Sequence, residues 1–131
     1  SYTEEEEIAS KELIQLFDSK FKHHLDRYKY SSRYGVDPLE HQEECKAILE
    51  NLDAEIHPNP WIFGKQVSLL DISILPFIRQ YKIANPDWFF AQNFTKVIAL
   101  LNYFEKSDLF IQAMQKFELW DPIKQNGNIF P

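Results

Sequence analysis

The stretch Gly64-Lys65-Gln66-Val67-Ser68-Leu69-Leu70-Asp71-Ile72 decides how this chain of 131 residues folds. Ser68 is a good N-cap, and its hydroxyl can accept from the amide of Asp71. The Asp71 carboxylate can reach back to the Ser68 amide, closing a capping box in which aspartate stands for the usual Glu or Gln. Val67 and Ile72 occupy the two positions of a hydrophobic staple, which fixes how the chain enters the helix. From Leu69 to Ile78 the sequence is apolar on nearly every side, and such a helix belongs at the centre of a domain. Pro76 argues against a central strand, because it has no amide hydrogen for a ladder. It predicts instead a kink where the Ile72 carbonyl loses its usual donor. A buried helix start cannot borrow water for its first amides, so Ser68, Asp71, Val67 and Ile72 are read as structural capping residues.

Upstream, two amphipathic helices are expected. Thr3 and Glu6 make a capping box, and Leu13, Phe17, Phe21, His24 and Tyr28 then share one face, with Lys20, Lys22, Asp26 and Lys29 on the wet side. This helix is predicted to run to about Tyr30, where Ser31–Gly35 breaks it. Asp37 as N-cap, Pro38 at the first helical position and Glu40 completing a capping box open the second, whose stripe is His41, Cys45, Ile48, Leu52 and Ile56. Pro58 and Pro60 end it. The short connection makes the two helices antiparallel neighbours. Downstream, Pro86-Asp87-Trp88 reads as a cap and short turn. Val97, Leu100, Leu101 and Phe104 mark a fourth helix, and Leu109 to Phe117 a fifth, opening at Ser107. The fold class is all-α, a bundle of about five helices around a central buried one. Residues 1–120 form the domain and 121–131, with two prolines and a glycine, an extended C-terminal tail.

Eleven Phe, six Tyr and three Trp can fill a sizeable core. The net charge of −6 is uneven: residues 1–57 hold 14 acidic and 7 basic side chains, the rest 6 and 7. An acidic chain without a basic cluster disfavours nucleic acid and anionic membrane alike. No apolar run reaches the roughly 18–20 residues that span a bilayer. The single Cys45 forms no internal disulfide and suits a reducing compartment, so a cytoplasmic location is expected. His41 and Cys45, one turn apart, are too few ligands for a structural zinc site, and no metal is expected. Asn93-Phe94-Thr95 fits a glycosylation sequon that a cytoplasmic chain leaves idle. Arg79 needs a carboxylate, expected near a docking face. Trp88, Phe89 and Phe90 either fill a core edge or cover such a face.

The glycine followed by Ser-Leu-x-Asp at the start of a central helix resembles the C-terminal helical domain of glutathione S-transferases. The resemblance extends to Asp26-Arg27-Tyr28-Lys29-Tyr30, Leu75-Pro76-Phe77-Ile78-Arg79-Gln80, Asp87-Trp88-Phe89 and Phe110-Ile111-Gln112-Ala113-Met114-Gln115-Lys116, which look like a bacterial subfamily. It covers the chain from about residue 5 to Trp120.

The resemblance implies a partner that this sequence does not contain: a thioredoxin-like N-terminal domain, which binds most of glutathione and supplies the activating Ser, Tyr or Cys. The chain begins with Ser1 and shows no βαβ pattern, so it reads as the C-terminal part of a longer transferase-like protein. By the same resemblance, the first helix lines the pocket for a small electrophilic substrate, with His23, His24, Arg27, Tyr28 and Tyr30 as candidate binding residues. Arg27 suits a glutathione carboxylate, and the tyrosines offer flat apolar walls with a polar tip. Glutathione is then the co-substrate of the whole protein, this chain supplies no catalytic residue and is inactive alone, and a homodimer forms through the first two helices. The other implied function is a non-catalytic protein-interaction module, since a fold does not fix its function.

Overall fold

The computed structural model describes residues 3–119; the expected tail, residues 121–131, lies outside them. Helices α1 (Glu4–Leu16) and α2 (Lys22–Lys29) flank a π-helical segment (Phe17–Phe21), and the three run on without a break. They are followed by α3 (Ser31–Tyr34), α4 (Pro38–Glu55), α5 (Leu69–Ala84), α6 (Pro86–Phe90), α7 (Thr95–Glu105) and α8 (Phe110–Leu119). Among the described residues there is no strand, only one isolated bridge between Trp61 and Gly64. The fold is all-α, and its five long segments are the helices read from the sequence.

Helix α5 is the axis. Leu70, Ile74, Leu75, Pro76, Phe77, Ile78 and Tyr81 are buried, and α1, α2, α6, α7 and α8 pack around them. Tyr81 gathers the aromatic core, with ring centroids 5.4 Å from Tyr28, 5.7 Å from Trp88 and 5.8 Å from Phe21. Its hydroxyl donates to the Gln42 carbonyl at 2.8 Å, which ties α5 to α4. The helix runs through Pro76, its ring buried in the core.

Several expectations are corrected. The first helix buries Phe17, Phe21 and Leu25, whereas His24 and Tyr28 are half-buried. Steps of four residues drift by about 40° each around an α-helix of 3.6 residues per turn. The wider π turn absorbs part of that drift and keeps Phe17, Phe21 and Leu25 in line. Asp26, read as a wet-side residue, is buried on the opposite edge of that stripe. The break after Tyr30 is a further helical turn, closed by Gly35 at φ 64°. Asp37 caps α4 through the Leu39 amide, two residues on, and not through a box with Glu40. Gln42 is buried in α4 and His41 only half so. Ser107 folds its hydroxyl back onto the Phe104 carbonyl, and α8 opens three residues later than expected. Of the aromatic cluster, Phe89 is core, Trp88 half-buried and Phe90 exposed.

Candidate functional site

The start of α5 is held by a buried carboxylate. Asp71 is 0% exposed. One of its oxygens accepts from the Ser68 amide and hydroxyl, both at 2.8 Å, and the other accepts from the Ile62 amide at 3.1 Å. Ser68 Oγ in turn accepts from the Asp71 amide at 3.3 Å. Burial pushes the Asp71 carboxyl above the usual carboxylate range, and the hydrogen bonds from Ile62 and Ser68 pull it part of the way back. Gly64, at φ 128°, turns the loop so that Ile62 can reach the carboxylate.

This rigid helix start opens onto two adjoining clefts. One, of about 340 Å³, lies between Ile14, Asp18 and Lys22 on the first helix, Leu69, Ile72 and Phe77 on α5, and Phe117 on α8. The other, of about 460 Å³, runs over Val67 and Ile72 to Leu109 and Lys116. The clefts share Ile72, Ala113 and Lys116. Leu69 is 62% exposed and Val67 40%, so the first turn of the central helix presents an apolar rim. The Lys22 ammonium lies 5.8 Å from the Phe77 ring and 3.8 Å from Asp26. The site is an apolar trough with charges of both signs along one wall.

His23, His24, Arg27, Tyr28 and Tyr30 lie further along the same helix, and none of the five lines these two clefts. They form a polar ridge facing α3, α4 and the end of α5. Arg27 donates to the His23 carbonyl at 3.1 Å and stacks over Tyr34 at 4.3 Å. Tyr30 lies under both Lys29 and Arg33, at 5.0 and 4.9 Å. The Tyr28 hydroxyl accepts from Gln42 Nε2 at 2.9 Å, and Lys29 donates to Gln80 Oε1. His24 meets His41 ring to ring. The ridge is cationic and aromatic, a composition suited to anions and flat rings.

Cys45 is buried with its thiol against the Phe21 carbonyl, and burial pushes its pKa up, so it is no ready nucleophile. Among the described residues no three metal-ligating side chains are grouped to hold an ion. The carboxylate expected for Arg79 is Glu105 on α7, within the domain. Arg79 Nε reaches it at 3.1 Å and Lys82 Nζ at 2.6 Å. The sequence reading missed Glu105 because it lies 26 residues away, where periodicity carries no pairing signal. It missed Asp18 and the α8 wall for the same reason. No helix among the described residues is long and apolar enough to cross a membrane.

Compared with known families, residues 12–105 match the model described as glutathione S-transferase, C-terminal domain. No curated protein and no solved structure matches significantly.

Proposed function

We propose, from the premise that this chain belongs to the glutathione S-transferase C-terminal domain family, that it is the substrate half of a thiol transferase. It supplies the pocket for a small electrophile and a homodimer face, and works beside a thioredoxin-like N-terminal domain that holds and activates glutathione. The observation that carries this reading is the apolar trough at the start of α5, walled by the first helix at Ile14 and Lys22. An electrophile there would be held against an apolar surface while a thiolate from the partner domain attacks, so this chain contributes positioning and desolvation. The exposed rim of Val67, Leu69 and Ile72 supports a partner domain seated nearby. His23, His24, Arg27, Tyr28 and Tyr30 are proposed to extend the site along the same helix. Arg27 keeps N–H donors beyond the one given to the His23 carbonyl, enough to receive a carboxylate.

The test starts with the native protein from its source cells. A product heavier than 15.6 kDa by about one small domain is expected, and it should be retained by immobilised glutathione and conjugate glutathione to an activated aryl halide. The isolated chain should show no turnover above the uncatalysed thiol reaction. A native product of this mass that ignores glutathione would replace the transferase reading with the protein-interaction module.

A further inference from the structure

Three imidazoles meet where α2 crosses the first turn of α4. Nδ1 of His24 and Nδ1 of His41 are 2.8 Å apart, with ring centroids 5.0 Å apart and planes tilted by 33°. His23 stands edge-on to both, 4.8 Å from His24 and 6.1 Å from His41. At that separation two ring nitrogens attract only when one carries a proton and the other offers its lone pair. The pair therefore holds together as two neutral rings, or as one neutral ring and one cation. Two imidazolium rings would set N–H against N–H with like charges in contact.

The charges facing the pair pull in both directions. From α4, the Glu44 carboxylate lies 3.9 Å from His24 Nε2 and favours one positive charge. From the helix that carries His24, Lys20 opposes its protonation, and Arg27 opposes that of His23. Glu44 and Lys20 thus face the pair with opposite charge, and Arg27 faces His23 beside it. The joint beside the pair is closely bonded: Gln42, next to His41, donates to Tyr28 and accepts from Tyr81.

We infer that His24 and His41, backed by His23, form a proton-operated latch on the α2–α4 joint, closed while the pair holds at most one proton and released by the second. Release frees α2 from the first turn of α4 and withdraws Tyr28 from Gln42. The latch stands on this contact alone and does not depend on the transferase reading. The sign of the pH effect follows from the same geometry. Burial first holds His23 and His24 below the ordinary histidine value of 6.5; Arg27 adds to this at His23, and at His24 the His23 ring adds to it against the upward pull of Glu44. A base held low in the folded state contributes stability that is full above its unfolded value and is lost as pH falls through the folded one. Acid therefore opens the joint.

Hydrogen exchange on the whole chain tests this between about pH 7.5 and about pH 5, the range in which histidines change charge. After correction for the intrinsic pH dependence of exchange, amides in residues 22–30 and 38–46 should exchange about tenfold faster at the lower pH. In His41→Asn the amide Nδ2 can still donate to His24 but adds no second charge, so the acid-induced increase should vanish. His24→Asn should behave alike. Unchanged protection in the wild type, or the same acid-induced loss in both variants, would overturn the latch. Should either variant fail to fold, imidazole NMR titration of the wild type decides the matter. A His24 midpoint below the ordinary histidine value of 6.5 is expected, and a midpoint at that value would overturn it.

Discussion

Asp71 shows how much one side chain can organise. It accepts from three donors, two of them backbone amides of buried residues. Asp71→Ala strands those amides and should cost about 2–5 kcal/mol, read as a lowered urea midpoint. Ser68→Ala removes one cap acceptor and one donor and should cost about 0.5–2 kcal/mol. Asp71→Asn separates charge from shape. The wild-type carboxyl is raised by burial, so the folded state binds its proton more readily than the unfolded one. Stability from this group is therefore greatest at low pH and falls as pH rises from the unfolded to the folded value. Against Asp71→Asn, the wild type should lose stability over that rise. A difference between the two that is flat with pH would show the carboxyl unperturbed. The residues behind this were legible in the sequence, because a capping box is local and its spacing is fixed. The third partner was not, since nothing in the sequence announces that the Ile62 amide comes round to meet Asp71.

At the scale of elements, the helices were legible wherever apolar spacing and caps agreed. They were misread where the backbone departs from 3.6 residues per turn. The π segment at Phe17–Phe21 is invisible to a periodicity argument, and it moved His24 and Tyr28 off the buried face and Asp26 onto it. The candidate site was less legible than the fold. The trough joins residues from three distant segments, whereas sequence reasoning named a single run along one helix. The connections offer a cleaner forecast. Gly35 sits at φ 64° and Gly64 at φ 128°, and neither has a neighbour that an added Cβ would meet. The two alanine substitutions therefore differ in backbone strain alone. Gly35→Ala enters the left-handed island and should cost about 1–2 kcal/mol. Gly64→Ala lies outside that island and should cost more, about 2–3 kcal/mol. Equal thermal shifts in the two variants would contradict this ordering.

For the whole molecule, charge is the organising quantity. The proposed dimer face is built from the first two long helices, and residues 1–57 carry the entire negative excess. Two such faces repel across a symmetry axis unless salt screens them. Self-association should tighten as salt rises from about 0.1 to about 1 M, where the screening length falls from about 10 to about 3 Å. Sedimentation showing a monomer at every salt concentration would remove the dimer. The bond between Asp71 and the Ile62 amide has a consequence in time as well as in energy. Its donors come from both sides of the turn that Gly64 makes, so the carboxylate is satisfied only when loop and helix start have closed together. The two should arrive as one kinetic unit, before the outer helices have anything to pack upon. Asp71→Asn should then slow refolding by nearly the whole of its stability loss and leave the unfolding rate almost unchanged. A variant that refolds at the wild-type rate and unfolds faster would place that closure late, with the core assembled around a helix not yet anchored.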